Sequence, residues 1–123
     1  MIGYVTIGTN DFEKSKKFYD AVLAELGGKH TFGNDRMQGY GSAPGAAMLM
    51  LCKPYDEKSA THGNGTMVAL AAPSRALVDK VHAKALSLGA KDEGAPGERG
   101  GSNFYGGYFR DADGNKLCVF KMG

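Results

Sequence analysis

The side chains best suited to chemistry in this 123-residue chain are two cysteines, Cys52 and Cys118, three histidines, His30, His62 and His82, and an acidic stretch at residues 111–115. A thiol attacks only as the thiolate, which needs an electropositive neighbour to form near neutral pH. Cys118 is therefore a candidate catalytic residue, although the sequence sets no His or Arg demonstrably beside it and a buried, inert thiol is the simpler reading. Tyr4 is a second candidate, as an acid or hydrogen-bond donor to a ligand oxygen. The histidines fit no zinc spacing and read as scattered surface or partly buried residues. Asp111-Ala112-Asp113-Gly114-Asn115 opens like a calcium loop, but such a loop needs Gly at its sixth position and Glu at its twelfth, where Lys116 and Met122 stand. A hairpin turn is expected there instead. Residues 94–107 are rich in glycine without a Gly-Lys-Ser or Gly-Lys-Thr, which removes a phosphate cradle. They read either as a mobile flap over a pocket or as a plain insertion, with Arg99 placed to meet an acidic substituent on a ligand.

The elements that must position these residues follow from hydrophobic period. Residues 2–8 alternate, with Val5 and Ile7 on one face and Tyr4 and Thr6 on the other, as in a half-buried strand. Asn10 is the expected helix cap, with Glu13 completing a capping box, and Phe12, Ser15, Tyr19, Val22 and Leu26 form the apolar stripe of a helix that stops at Gly27-Gly28. Extended pieces follow at residues 29–32, 37–42 and 46–53. After a polar connection the pattern restarts: a strand at 66–71, a helix from Pro73-Ser74 to Gly89, a short strand at 90–93, the glycine-rich loop, a strand at 104–110, a turn, and a last strand at 116–121. An offset of 63 superposes Val5 on Val68 and Ile7 on Leu70; an offset of 68 superposes Gly39 on Gly107, Tyr40 on Tyr108 and Leu49 on Leu117. The chain thus reads as a duplicated βαβββ module, residues 1–54 and 66–123, in a single α+β domain. Each module covers one sheet face with its helix and leaves the other for a second module or a ligand, so two of them make a cup-shaped, half-barrel mixed sheet with helices on the outer face.

Composition narrows the partners. Fifteen basic and thirteen acidic residues give a net charge of +2 without a basic run longer than Lys16-Lys17, so nucleic acid is not expected. The longest apolar stretch, residues 46–52, is too short for a membrane span, and no basic segment leading into an apolar one opens the chain. A cytoplasmic protein with reduced thiols is expected. Glycine is the anomaly, at 19 residues about twice the usual share.

Tyr4-Val5-Thr6-Ile7 followed by Asn10-Asp11-Phe12-Glu13-Lys14-Ser15 and Phe18-Tyr19, then residues 68–74, Glu93-Gly94-Ala95-Pro96-Gly97 and residues 110–117, resemble the vicinal oxygen chelate superfamily. That superfamily includes glyoxalase I, bleomycin-resistance proteins and extradiol dioxygenases. The resemblance implies a divalent ion held by one residue from the first and one from the last strand of each module, usually His and Glu. Carried over, those positions are Tyr4, Met67, Met50 and Cys118. None offers imidazole or carboxylate, so no metal cofactor is expected and a divalent ion is disfavoured. The resemblance then implies a metal-free protein binding an apolar or aromatic small molecule. Its pocket is floored by Tyr4, Thr6, Met50, Met67, Ala69 and Cys118, continued by Met48, Cys52 and Phe120, and rimmed by Tyr40, Tyr105, Tyr108 and Arg99. The alternatives are a glyoxalase-type lyase or isomerase acting on a thiol adduct or small carbonyl compound, and a thiol-dependent enzyme using Cys118. A homodimer is also implied.

Overall fold

The computed structural model describes residues 1–101 and 103–123. They form two compact units, Met1–His62 and Gly63–Gly123, each a βαβββ module of an α+β fold. In the first, β1 (Tyr4–Gly8), α1 (Phe12–Ala24), β2 (Lys29–Gly33), β3 (Met37–Gly41) and β4 (Met48–Cys52) build a sheet of order β1-β4-β3-β2, with β1 parallel to β4 and the remaining pairs antiparallel. In the second, β5 (Val68–Ala71), α2 (Arg75–Ser87), β6 (Lys91–Arg99), β7 (Phe104–Arg110) and β8 (Lys116–Met122) repeat that order as β5-β8-β7-β6. No helix among the described residues is long and apolar enough to cross a membrane.

The repeat is visible in the pairing. Val5 lies beside Leu49 and Ile7 beside Leu51 in the first module, Val68 beside Leu117 and Leu70 beside Val119 in the second. These side chains take the helix side of each sheet, where Leu51, Leu117 and Val119 are wholly buried. The offset of 68 therefore holds for the last strands. It fails by one residue for the preceding pair, because Tyr40 lies opposite Leu49 whereas Phe109, not Tyr108, lies opposite Leu117. Gly39 thus corresponds to Tyr108 and not to Gly107. Strand side chains alternate between faces, so this one step puts Tyr40 and Tyr108, which match as letters, on opposite faces of their sheets.

Three local expectations change. Asp11, not Asn10, caps α1, its carboxylate accepting from the Lys14 amide at 3.1 Å. An acceptor-only carboxylate suits the orphan amides of a helix start. Asn10 uses its donor and acceptor together on Ala60, at 3.2 and 2.7 Å, and so pins the connection after β4, while Glu13 pairs with Lys16 instead of closing a capping box. In the second module Ser74 caps α2 as expected, accepting from Leu77. The short strand and glycine-rich loop are in fact one long hairpin: β6 runs nine residues and pairs with β7 down to Arg99 opposite Phe104. Gly100 and Gly101, both at φ 66°, carry the turn, and Ser102 within the expected flap lies outside the described residues.

Two of the histidines are structural ties. His30 on β2 bonds Asp20 on α1 at 2.6 Å, and His82 on α2 bonds Asp92 on β6 at 3.2 Å, so each module joins its helix to its outermost strand with the same residue types in opposite order. In the first module Tyr40 completes the tie, donating to the Asp20 carboxylate at 2.8 Å while buried against Tyr19. Burial raises the Asp20 carboxyl, but the hydrogen bonds from His30 and Tyr40 outweigh it and leave its pKa lowered. Burial, then the bond to Asp20, pushes the Tyr40 phenol well above its ordinary value of 10. A raised pKa means the folded chain holds the proton more tightly than the unfolded one. The Tyr40 contribution is therefore complete below about pH 10 and declines as pH rises further. Tyr40→Phe is expected to cost about 1 kcal/mol at pH 7 and to flatten the loss of stability above pH 10. Urea unfolding at pH 7, 9, 10 and 11 checks it, and an unchanged alkaline slope would contradict it.

Candidate functional site

The helix-free face of the second sheet gathers most of the chemistry. Strand register puts Ala69 on β5 beside Cys118 on β8, Cys118 opposite Tyr108 on β7, and Phe120 opposite Gly106. Phe104 and Phe120 stack with ring centroids 5.4 Å apart and planes 9° apart. Gly106 between them is required, since a Cβ there would come within 2.6 Å of the Phe104 ring. Tyr108 is the centre of the face. The Arg99 guanidinium and the Lys116 ammonium each lie over its ring, 5.5 Å from the centroid, and a Cβ on Gly94 opposite would press the ring at 3.0 Å. Such cation contacts hold a ring and its cations in mutual register. Arg99 also donates to the Ala95 carbonyl at 2.5 Å, and Glu93 bonds Arg110, which holds its carboxyl below the usual range.

Cys118 sits below this cluster, fully buried. Burial raises its thiol; the Tyr108 side chain and the charges of Arg99 and Lys116 pull the other way without reversing the shift. Burial likewise raises Cys52, against a weaker opposing effect of Arg36. Both cysteines are free thiols. Held protonated, Cys118 is a poor nucleophile at neutral pH. Iodoacetamide at pH 7 is expected to modify Cys118 at least about tenfold more slowly in the native chain than in urea. Native and denatured rates within a factor of two would contradict this.

The first module's corresponding face is built differently. Tyr4 and Thr6 on β1 lie beside Met48 and Met50 on β4, with Cys52 beside Gly8. Tyr4 is 58% exposed and Met50 only 5%. Met50 runs across Gly39, where a Cβ would meet its sulfur at 2.6 Å, so thioether fills the space that the Tyr108 ring takes in the second module. Met67 precedes β5 and is 43% exposed.

Of the residues expected to bind ligand, Tyr4, Thr6, Met48, Met50 and Cys52 thus share one face of the first sheet, and Ala69, Cys118, Phe120 and Arg99 gather on one face of the second. Tyr40 and Tyr105 are corrected: both turn to the helices. Tyr40 bonds Asp20, and Tyr105 donates to Asp79 on α2 at 2.5 Å with Arg75 over its ring. Of the three rim tyrosines, Tyr108 alone lies on the helix-free face, where Lys116, a residue the sequence reading did not single out, joins it. Alternation along β7 separates Tyr105 from Tyr108, three residues apart, onto opposite faces of the strand, so both could not line one rim. The calcium-like stretch is a closed hairpin turn, its Asp111 carboxylate accepting from the Asp113 and Asn115 amides and the Asn115 side chain. Among the described residues no three His, Cys, Asp or Glu side chains gather as a metal site. By donor chemistry, the phenol, two thioethers and raised thiol at Tyr4, Met50, Met67 and Cys118 do not suit a hard divalent ion.

Comparison with known proteins places these modules. The family model described as the Glyoxalase/Bleomycin resistance protein/Dioxygenase superfamily matches residues 1–119. A crystal structure of a glyoxalase/bleomycin resistance protein from Albidiferax ferrireducens T118 is 37% identical, with a TM-score of 0.91 over 100% of this chain and 99% of that one. A glyoxalase/bleomycin resistance protein/dioxygenase family enzyme from Burkholderia phytofirmans PsJN shares the fold at 19% identity, TM-score 0.79, with 98% of each chain covered. So does a lactoylglutathione lyase from Agrobacterium tumefaciens, at 20% identity and TM-score 0.72, covering 98% of this chain and 92% of that one. No match was found among curated proteins.

Proposed function

Because the chain belongs to the glyoxalase/bleomycin resistance protein/dioxygenase superfamily, we propose that it is a metal-free member that binds a small apolar or aromatic organic molecule on its helix-free sheet faces. The reading is carried by the chemistry of Tyr4, Met50, Met67 and Cys118, the residues that the superfamily resemblance sets where metal-dependent members carry imidazole and carboxylate. Thioether, ring and buried thiol supply dispersion and shape in place of Lewis acidity, and methionine adapts to ligands of varied outline. The stacked Phe104 and Phe120 and the Tyr108 ring add flat surface for an aromatic partner. Sequestration of such a molecule is the role that fits, in a cytoplasmic homodimer with reduced thiols.

Equilibrium dialysis against a panel of aromatic dyes and drugs tests the reading. Saturable binding of at least one member near one per chain supports it; no saturable binding to the folded protein overturns it. Elemental analysis after expression with added nickel, zinc, manganese and iron separates the alternative, a glyoxalase-type lyase or isomerase. A stoichiometric divalent ion would favour that enzyme. A thiol-dependent reaction at Cys118 is opposed by the raised thiol.

A further inference from the structure

The two helix-free faces differ in charge as well as shape. With the register corrected, the first-module counterparts of Tyr108, Arg110 and Lys116 are Gly39, Gly41 and Met48, and that of Cys118 is Met50. The second face therefore carries Arg110 and Lys116 at positions where the first carries Gly41 and Met48, the first face having its own lysine, Lys29, on the outer strand opposite Gly41. Its acid, Glu93, is engaged by Arg110. Among the described residues no ion pair engages Arg99 or Lys116, which are only half-buried and converge on the one Tyr108 ring. Two Arg99 nitrogens donate to the Ala95 and Glu98 carbonyls, which are neutral, so both cations flank the ring without a counter-charge. An anion beside the Tyr108 ring meets this uncompensated positive charge, and charge-assisted bonds to it are stronger than neutral ones. The neighbouring Phe104 and Phe120 stack offers a flat apolar surface, so the anionic group should be attached to a planar body.

We propose that the face formed by Arg99, Tyr108, Lys116, Phe104 and Phe120 selects a planar organic anion, its charged group drawn to Arg99 and Lys116 and its flat body against the rings. The proposal rests on the ligand-binding reading above and names the ligand class for it. The Glu93 carboxylate, which would otherwise favour a cationic ligand, is engaged by Arg110.

Titration calorimetry with 2-naphthoate, its neutral carboxamide and 2-naphthylmethylammonium tests it in 20 mM and 300 mM salt. The naphthoate is expected to bind at least about tenfold more tightly than the carboxamide in low salt, with the ratio shrinking in high salt. In the Arg99→Gln, Lys116→Gln double variant the ratio is expected to fall toward one, with far-UV circular dichroism showing that the variant is folded. Should that variant fail to fold, Lys116→Met, which introduces the first module's own residue, gives the same readout. Equal affinity for naphthoate and carboxamide, or tighter binding of the ammonium probe, overturns the anion proposal and leaves the ligand-binding reading standing. Failure of all three aromatic probes to bind, together with failure of the dialysis panel, overturns both.

Discussion

Phe109→Ala is expected to remove about 3–5 kcal/mol of stability, the largest loss of any single truncation in the second module. Phe109 lies on β7 facing α2 and has no exposed surface. Its ring meets His82 edge-on, with centroids 6.3 Å apart and planes at 70°, and its backbone neighbours in the sheet are Asp92 and Leu117. Around it Val78, Val81, Ala85 and Val119 are also fully buried, so no flexible side chain is at hand to refill the space. The cost is then the lost transfer energy plus a cavity. For a chain of this length, the melting temperature should fall by roughly 10–20 °C. Urea unfolding followed by circular dichroism and tyrosine fluorescence together measures it; a loss below about 1 kcal/mol would show that this helix and sheet are not packed as described. The same ring carries a functional consequence, because β7 presents Phe109 to the helix and Tyr108 to the ligand face.

His82→Ala is expected to cost about 2–3 kcal/mol, well above Asp92→Ala. His82 is only 4% exposed, and its Nε2 lies 3.1 Å from the Tyr108 carbonyl and 3.2 Å from the Asp92 carboxylate. Both are acceptors, so Nε2 carries the proton and is shared between them. Removing the ring leaves the Tyr108 carbonyl without that donor and opens a void beside Phe109 and Gly107. Asp92 is half exposed, so water replaces much of what its loss removes, and less than about 1 kcal/mol is expected there. Because His82 anchors the backbone that bears the Tyr108 ring, the variant should also weaken naphthoate binding severalfold. Equal losses for His82→Ala and Asp92→Ala would contradict this account.

The reach of sequence reasoning is instructive at particular residues. Helix and strand periods located both modules, since Val5, Ile7, Val68 and Leu70 alternate as buried strands do and the two helices share a 63-residue offset. Tyr40 was misread as the counterpart of Tyr108 because Gly39-Tyr40 and Gly107-Tyr108 match as letters but not in register. The connection from β3 to β4 spans residues 42–47 and that from β7 to β8 only 111–115, so the offset changes from 69 to 68 across that turn. A one-residue change in loop length is invisible to hydrophobic period when both flanking strands are already buried, yet it decides which aromatic takes the helix-free side of the sheet. The long β6–β7 hairpin was missed for a related reason: Gly94, Pro96 and Gly97 read as loop, although Gly94 is there to let the Tyr108 ring lie close. The histidine ties join residues ten apart that meet only when a helix lies on its sheet, which no local pattern encodes.

The central claim, that the helix-free face of the second module is a ligand site, is tested most directly by an amide NMR titration with 2-naphthoate. The account predicts saturable shifts concentrated at Gly94, Arg99, Gly106, Tyr108, Lys116, Cys118 and Phe120, with the outward residues of α1 and α2 unmoved. Saturable shifts confined to the helices, or none at all from the residues around Tyr108, would contradict it.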